Sequence, residues 1–195
     1  MEWLEFFPNV EAFVPSFSSS PGIFDIMKVS SGSLSKFAKY PKIEDCPKKL
    51  AISAFNVLTL ETEVMREGDL VSALAASMAV PLLFKPVIRG GTPYLDGFVG
   101  DVGGLEGIER DYPTLYFHAT DTPLSLSLIS RFSNIVTLSC KHLPIITPWD
   151  LREQGNRSFN KGRDLMESLL SSPLSSLDHR GKDNFVYESK ERSRL

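Results

Sequence analysis

Chemistry-bearing residues concentrate in one block of the 195-residue chain, Ser72 to Asp101. It reads Ser-Ala-Leu-Ala-Ala-Ser-Met-Ala-Val-Pro-Leu-Leu-Phe-Lys-Pro-Val-Ile-Arg-Gly-Gly-Thr-Pro-Tyr-Leu-Asp-Gly-Phe-Val-Gly-Asp. This order predicts a helix, a proline stop, an apolar loop, a tight turn and a short strand ending at Asp96-Gly97. Catalytic side chains gather at strand ends in α/β sheets. A carboxylate there can work as a general base, and Gly97 lets the backbone turn sharply behind it. Asp-Gly is also a common turn dipeptide, and alone it marks a turn more often than a base.

The elements that must position Asp96 come next. Leu50 to Val57 reads as a strand apolar enough to be buried on both faces. Asp69 is a candidate N-cap for a helix over Leu70 to Ala79, rich in Ala and Leu and stopped by Pro81. Gly90-Gly91 is a turn, and Tyr94-Leu95 begins the strand into Asp96. Thr114 to Ala119 and Asn134 to Ser139 are further strand candidates. Phe159, Leu165, Met166, Leu169 and Leu170 mark a C-terminal amphipathic helix. At the other end, Trp3, Phe6, Phe7, Val10, Phe13, Val14 and Phe17 fall at helical spacing, broken by Pro8 and Pro15. They predict short helical pieces packed on the domain, the favoured reading, or else an apolar cap over a lipid site or a surface that dips into a membrane interface. Residues 16 to 36 are serine- and glycine-rich and read as connecting loop. Alternating strands and helices predict an α/β fold with a mainly parallel sheet. After about Ser175 the chain turns polar, and residues 176–195 read as a flexible tail.

Composition sets outer bounds. Apolar residues are 42% and charged residues 23%, so global disorder is excluded as a default. A net charge of -3 gives no basic field for nucleic acid. Cys46 and Cys140 show neither disulfide-framework nor metal spacing and read as free thiols of a reducing compartment, with one disulfide between them as the alternative. No run reaches the roughly 18 apolar residues of a membrane span, and no basic leader precedes the apolar N-terminus. A cytoplasmic protein, with membrane association, is the expectation. The final Ser193-Arg194-Leu195 is similar to a peroxisomal address, giving a peroxisomal alternative. There is no Gly-x-x-x-x-Gly-Lys-Ser/Thr, His-Glu-x-x-His or Cys-x-x-Cys, and the four glycines of Gly100 to Gly107 lack dinucleotide spacing. Neither a cofactor nor a metal is indicated.

The longer pattern adds a family. Ala76-Ser77-Met78-Ala79-Val80-Pro81, then Phe84, Pro86-Val87, Gly91 and Tyr94-Leu95-Asp96-Gly97, resembles the helix–loop–Asp-Gly block of patatin-like phospholipases. Asp101-Val102-Gly103-Gly104 sits where that family often has an Asp-Asn-x-Pro turn. The resemblance runs from about Leu50 to Ser139, within a partial domain over 1–175. It implies a three-layer sandwich and a serine–aspartate dyad acting on lipid esters. The serine forms an acyl-enzyme, and Asp96, matching the family aspartate, is its base. His118, His142 and His179 then have no catalytic task.

The chain departs from the family pattern in three ways. It has no Gly-x-Ser-x-Gly; the nearest string is Gly32-Ser33-Leu34-Ser35-Lys36, with no strand signal before it. The glycine-rich oxyanion segment is missing as well. Phe98 stands where the family usually has a small residue, and it is expected to crowd the pocket. Both missing segments would precede residue 1, so the sandwich is expected to be N-terminally incomplete, with a sheet edge open to self-association. Two readings compete: a truncated lipid acyl hydrolase, which we favour, and a non-catalytic lipid-binding or scaffold protein. Ser77, inside the helix, reads as packing.

Overall fold

A computed structural model describes residues 22–28, 39–119, 129–139, 151–171, 178–179 and 184–188. The aromatic N-terminal stripe, Cys140, His142 and the terminal tripeptide lie outside them. The chain divides into two compact units, Met1–Ile108 and Glu109–Leu195. The fold is mixed α/β.

The first unit holds strands β1 (Ile52–Asn56) and β2 (Glu61–Met65), helix α1 (Leu70–Ser77), strands β3 (Val87–Arg89) and β4 (Thr92–Asp96), and a 3-10 turn over Gly97–Val99. Its sheet runs β2-β1-β4-β3, and every pairing is antiparallel. That departs from the parallel sheet expected, and the connections explain why. Parallel neighbours need a long crossover, whereas short loops return the chain antiparallel. Residues 57–60 fold β2 back on β1. There the Asn56 side chain accepts from the Leu58 and Thr59 amides at 2.9 and 3.2 Å. Gly90 and Gly91, both at positive φ, fold β4 back on β3. The sequence reading had the Gly90-Gly91 turn but missed β2, whose Glu-Thr-Glu-Val-Met run is only weakly apolar, and β3, which is three residues long.

Helix α1 packs on the face of this sheet that carries Ile52, Ala54, Met65, Val87 and Tyr94. Leu70, Ala73, Ala75 and Ala76 are buried, so the helix approaches through small side chains. Asp69 caps it as expected, its Oδ1 accepting from the Ser72 amide at 2.7 Å. The helix ends at Ser77, earlier than the Ala79 expected. Leu70 and Gly68 are tied back to Pro41 and Glu44 through hydrogen bonds of 3.0 and 2.8 Å. Within the segment read as loop, residues 23 and 24 donate to the Leu83 carbonyl at 3.1 and 2.9 Å, and the Phe24 ring meets the Phe84 ring at a 56° tilt with centroids 6.3 Å apart. Gly22 lies so close to the Phe84 carbonyl that a side chain would collide with it.

The second unit holds β5 (Thr114–His118), β6 (Ile135–Ser139), α2 (Leu151–Leu170), β7 (Asp178–His179) and β8 (Asn184–Glu188), in the order β5-β6-β8-β7. Here β5, β6 and β8 are parallel, and β7 is antiparallel to β8. The expected parallel sheet therefore exists, but only as this small one. Helix α2 is longer than the apolar positions marked; Leu165 is buried while Phe159 stays exposed. Two strands occupy part of the 176–195 segment read as a flexible tail. The correction has a simple cause: Phe185-Val186-Tyr187 is a β-prone run, and β6 offers it an edge.

Candidate functional site

Asp96 is the last residue of β4 and the N-cap of the turn over Gly97–Val99. Its Oδ1 accepts from the Phe98 amide at 2.8 Å. Its own amide donates to the Ala79 carbonyl at 2.9 Å. By register it stands beside Ala54, on the α1 face of the sheet, in one row with Glu63 across β1. Burial pushes its carboxyl above the ordinary aspartate value, and the Phe98 hydrogen bond opposes that in part. A half-buried carboxyl with a raised pKa is a stronger base, once ionised, than an exposed one.

Gly97 is where the sequence needs it. A Cβ there would lie 2.5 Å from the Ser53 carbonyl oxygen, so no side chain fits. The turn thus lies flat on β1 and starts the chain across the second face of the sheet. That crossing continues at Gly100, against Thr62 and Phe55, and at Gly107, against Ala51 and Val64. Phe98 is 54% exposed, and its amide is what touches Asp96.

The second aspartate of the block is a structural anchor. Asp101 is buried and accepts from the Leu105 and Glu106 amides at 2.9 and 3.1 Å. Both oxygens are spent on the loop that returns from the 3-10 turn. One network escaped the sequence reading. The Tyr94 hydroxyl donates to Glu63 at 2.7 Å, and the Asn56 side chain donates to the same oxygen at 3.2 Å. It pins β4 across β1 to β2, two residues before Asp96. Nothing local in the sequence signals it, because the partners are 7 and 31 residues apart.

No serine hydroxyl among the described residues donates to Asp96. Ser53 packs against Gly97, but its register puts it on the opposite sheet face from Ala54 and Asp96. Ser77 ends α1, half-buried. His118 is buried at the end of β5 in the second unit. No group of acidic, histidine or cysteine side chains among the described residues has the makings of a metal site. No helix among them is long and apolar enough to cross a membrane.

Residues 11–105 match the family model for patatin-like phospholipases. Over that stretch the chain is similar to part of a patatin-like domain. The matched stretch contains α1, both hairpins, Asp96-Gly97 and Asp101, and overlaps the sequence resemblance over residues 50–105. It therefore covers the helix, loop and strand end that hold the candidate carboxylate, in the unit where the structure joins them. A lipid acyl hydrolase family and lipid substrates go with that match. No curated protein matches the chain.

Proposed function

We propose that Asp96 is the general base of a serine–aspartate lipid acyl hydrolase whose patatin-like three-layer sandwich is only partly present in these 195 residues. One observation carries the reading: Asp96, which lies within the matched stretch, is held at a strand end through its amide and its carboxylate, its carboxyl pKa raised by burial. In the proposed step the serine Oγ attacks the acyl carbonyl carbon and its proton passes to the Asp96 carboxylate. The tetrahedral oxyanion collapses, the C–O bond to the lipid alcohol breaks, and the alcohol leaves with the proton. Water repeats the sequence on the acyl-serine, returning the serine and releasing the fatty acid. The ionised carboxylate must come within about 2.6–3.2 Å of the hydroxyl. Phospholipids, galactolipids and acylglycerols are the candidate substrates, met at a cytoplasmic membrane surface.

Reading the genomic frame upstream of Met1 tests this directly. An in-frame Gly-x-Ser-x-Gly after a glycine-rich turn is expected. The longer chain should then release fatty acid from lipid vesicles, and its Asp96→Asn variant should not. Full activity in that variant would reject Asp96 as the base. The absence of any Gly-x-Ser-x-Gly within the present sequence favours a second reading, a non-catalytic lipid-binding or scaffold protein on the same fold. It predicts vesicle binding without acyl release, and a stop codon directly upstream of Met1.

A further inference from the structure

The loop between α1 and β3 has an apolar tip in water. Val80, Pro81 and Leu82 are three consecutive exposed residues, so their proximity is covalent. The tip is held at both ends by the core: Ala79 and Phe84 are buried in it, and Leu83 packs against it. Leu82 is 80% exposed and sits on left-handed backbone, φ 70°. That conformation is disfavoured for a leucine. Backbone strain of this kind persists where the surrounding structure imposes it, and it gathers at sites that meet a ligand.

The backbone and the charge of this loop say what it suits. The Met78, Ala79 and Val80 carbonyls accept from the Val80, Asp96 and Phe84 amides, each at 2.9 Å, and the Leu83 carbonyl accepts from residues 23 and 24 at 3.1 and 2.9 Å. The Met78 and Ala79 amides donate back into α1 at 3.1 and 3.2 Å, and Pro81 has no amide hydrogen. In an apolar medium backbone polar groups must be satisfied internally, and most of this loop's already are. A partner that binds by adding a strand would find few of them open. Between Asp69 and Asp96 the chain has no acidic residue, and its only charges are Lys85 and Arg89. An apolar tip within a stretch that is basic and free of acids complements an anionic phospholipid surface.

We propose that the Val80-Pro81-Leu82 tip is a membrane-docking wedge that enters the headgroup–acyl boundary of an anionic phospholipid surface. The proposal rests on the lipid reading above, which the hydrolase and the lipid-binding alternatives share. The loop's root is bonded to Asp96 through Ala79, so docking would bring that strand end to the lipid. The test is co-sedimentation of the full chain with vesicles of phosphatidylcholine and phosphatidylglycerol in equal parts. Binding is expected, and Val80→Ser/Leu82→Asn should weaken it at least about tenfold. Asparagine tolerates left-handed backbone and residues 80 and 82 are exposed, so the variant should fold, as circular dichroism checks. Leu58→Ser, at an exposed leucine of the β1–β2 turn, should bind as wild type does. No binding by wild type, equal binding by the loop variant, or an equal loss in Leu58→Ser would each overturn the proposal. A loop variant that changes only the self-association of the free chain would assign the tip to a second copy and overturn it too. Acyl release is read separately. Loop-dependent binding without release by the longer chain would leave the wedge standing and the hydrolase reading failed; release with loop-independent binding would do the reverse.

Discussion

The Asp96 amide donates to the Ala79 carbonyl at 2.9 Å, joining residues 17 positions apart. The bond ties the helix end, the apolar loop and the Asp-Gly dipeptide of this chain into one unit. The loop leaves the sheet region at Ala79 and must return to it at Asp96. Its length and its turns are then fixed by having to close on that bond. With the Phe98 amide on its Oδ1, Asp96 is held through its backbone and its side chain at once.

Asp96→Asn should stabilise the fold at neutral pH. The folded carboxyl titrates above its unfolded value, so its contribution to stability is complete below the unfolded pKa of about 3.9 and is lost as pH rises through the raised folded value. Asparagine keeps an acceptor for the Phe98 amide and removes the charge. The gain is a fraction of a kcal/mol, since the carboxyl is only half-buried and water screens it. Urea denaturation at pH 7 should show the variant ahead, with the gap closing towards pH 3. A gap that is constant with pH would contradict the burial argument.

Gly97→Ala should destabilise the first unit. The new methyl would meet the Ser53 carbonyl at 2.5 Å, and that carbonyl is backbone, held in β1. Overpacking of this kind costs about 1–3 kcal/mol or more. A Gly90→Ala variant is the control for glycine loss. Its Cβ meets nothing within 4 Å, so only the cost of positive φ remains. Chemical denaturation of the two should separate clash from conformational strain.

Asp101→Asn should hurt almost as much as Asp101→Ala. Both carboxylate oxygens accept from backbone amides, Leu105 and Glu106. An asparagine can satisfy one and turns an NH₂ towards the other. Hydrogen bonds to charged acceptors are worth about 1.5–3 kcal/mol each, so a loss of about 2–4 kcal/mol is expected in the alanine variant. If Asp101→Asn matches wild type in thermal unfolding, the two-amide account fails.

Asp69→Ala should cost about 1 kcal/mol through loss of the α1 cap, while Asp69→Asn should be close to neutral. Far-UV circular dichroism during urea titration reads both.

Tyr94→Phe should lower stability by about 1 kcal/mol at neutral pH, by removing the hydroxyl that bonds Glu63. Burial, helped by the neighbouring Glu63, pushes the Tyr94 phenol above its ordinary value. Its contribution is complete below the unfolded pKa of about 10 and declines as pH rises from there through the raised folded value. The advantage of wild type over Tyr94→Phe should therefore shrink in alkali, as read by denaturation at pH 8 and pH 11.

Strong local signals were legible before any coordinates. Asp69 before an Ala- and Leu-rich run gave α1, because capping and helix propensity act within a few residues. Gly90-Gly91 gave the hairpin turn, and the apolar runs gave β1, β5 and β6. Strand direction was not legible. An apolar strand such as β1 looks alike in parallel and antiparallel sheets, and the answer came from loop lengths around strands too short to register. The C-terminal strands were hidden because polar composition masks a β-prone run until a neighbouring edge is there to receive it.

The sequence by itself singled out Asp96, its glycine and the alanine-rich helix before them, and the family they resemble. Those follow from residue types and spacing along one chain. Tertiary structure decided what each does. It made Asp101 an anchor and Asp96 a half-buried carboxyl, left Phe98 exposed with its amide on Asp96, and set Tyr94, Asn56 and Glu63 into one network. The physical reason is that hydrogen bonding and desolvation depend on what the fold brings alongside a group, and distant segments of the chain supply it.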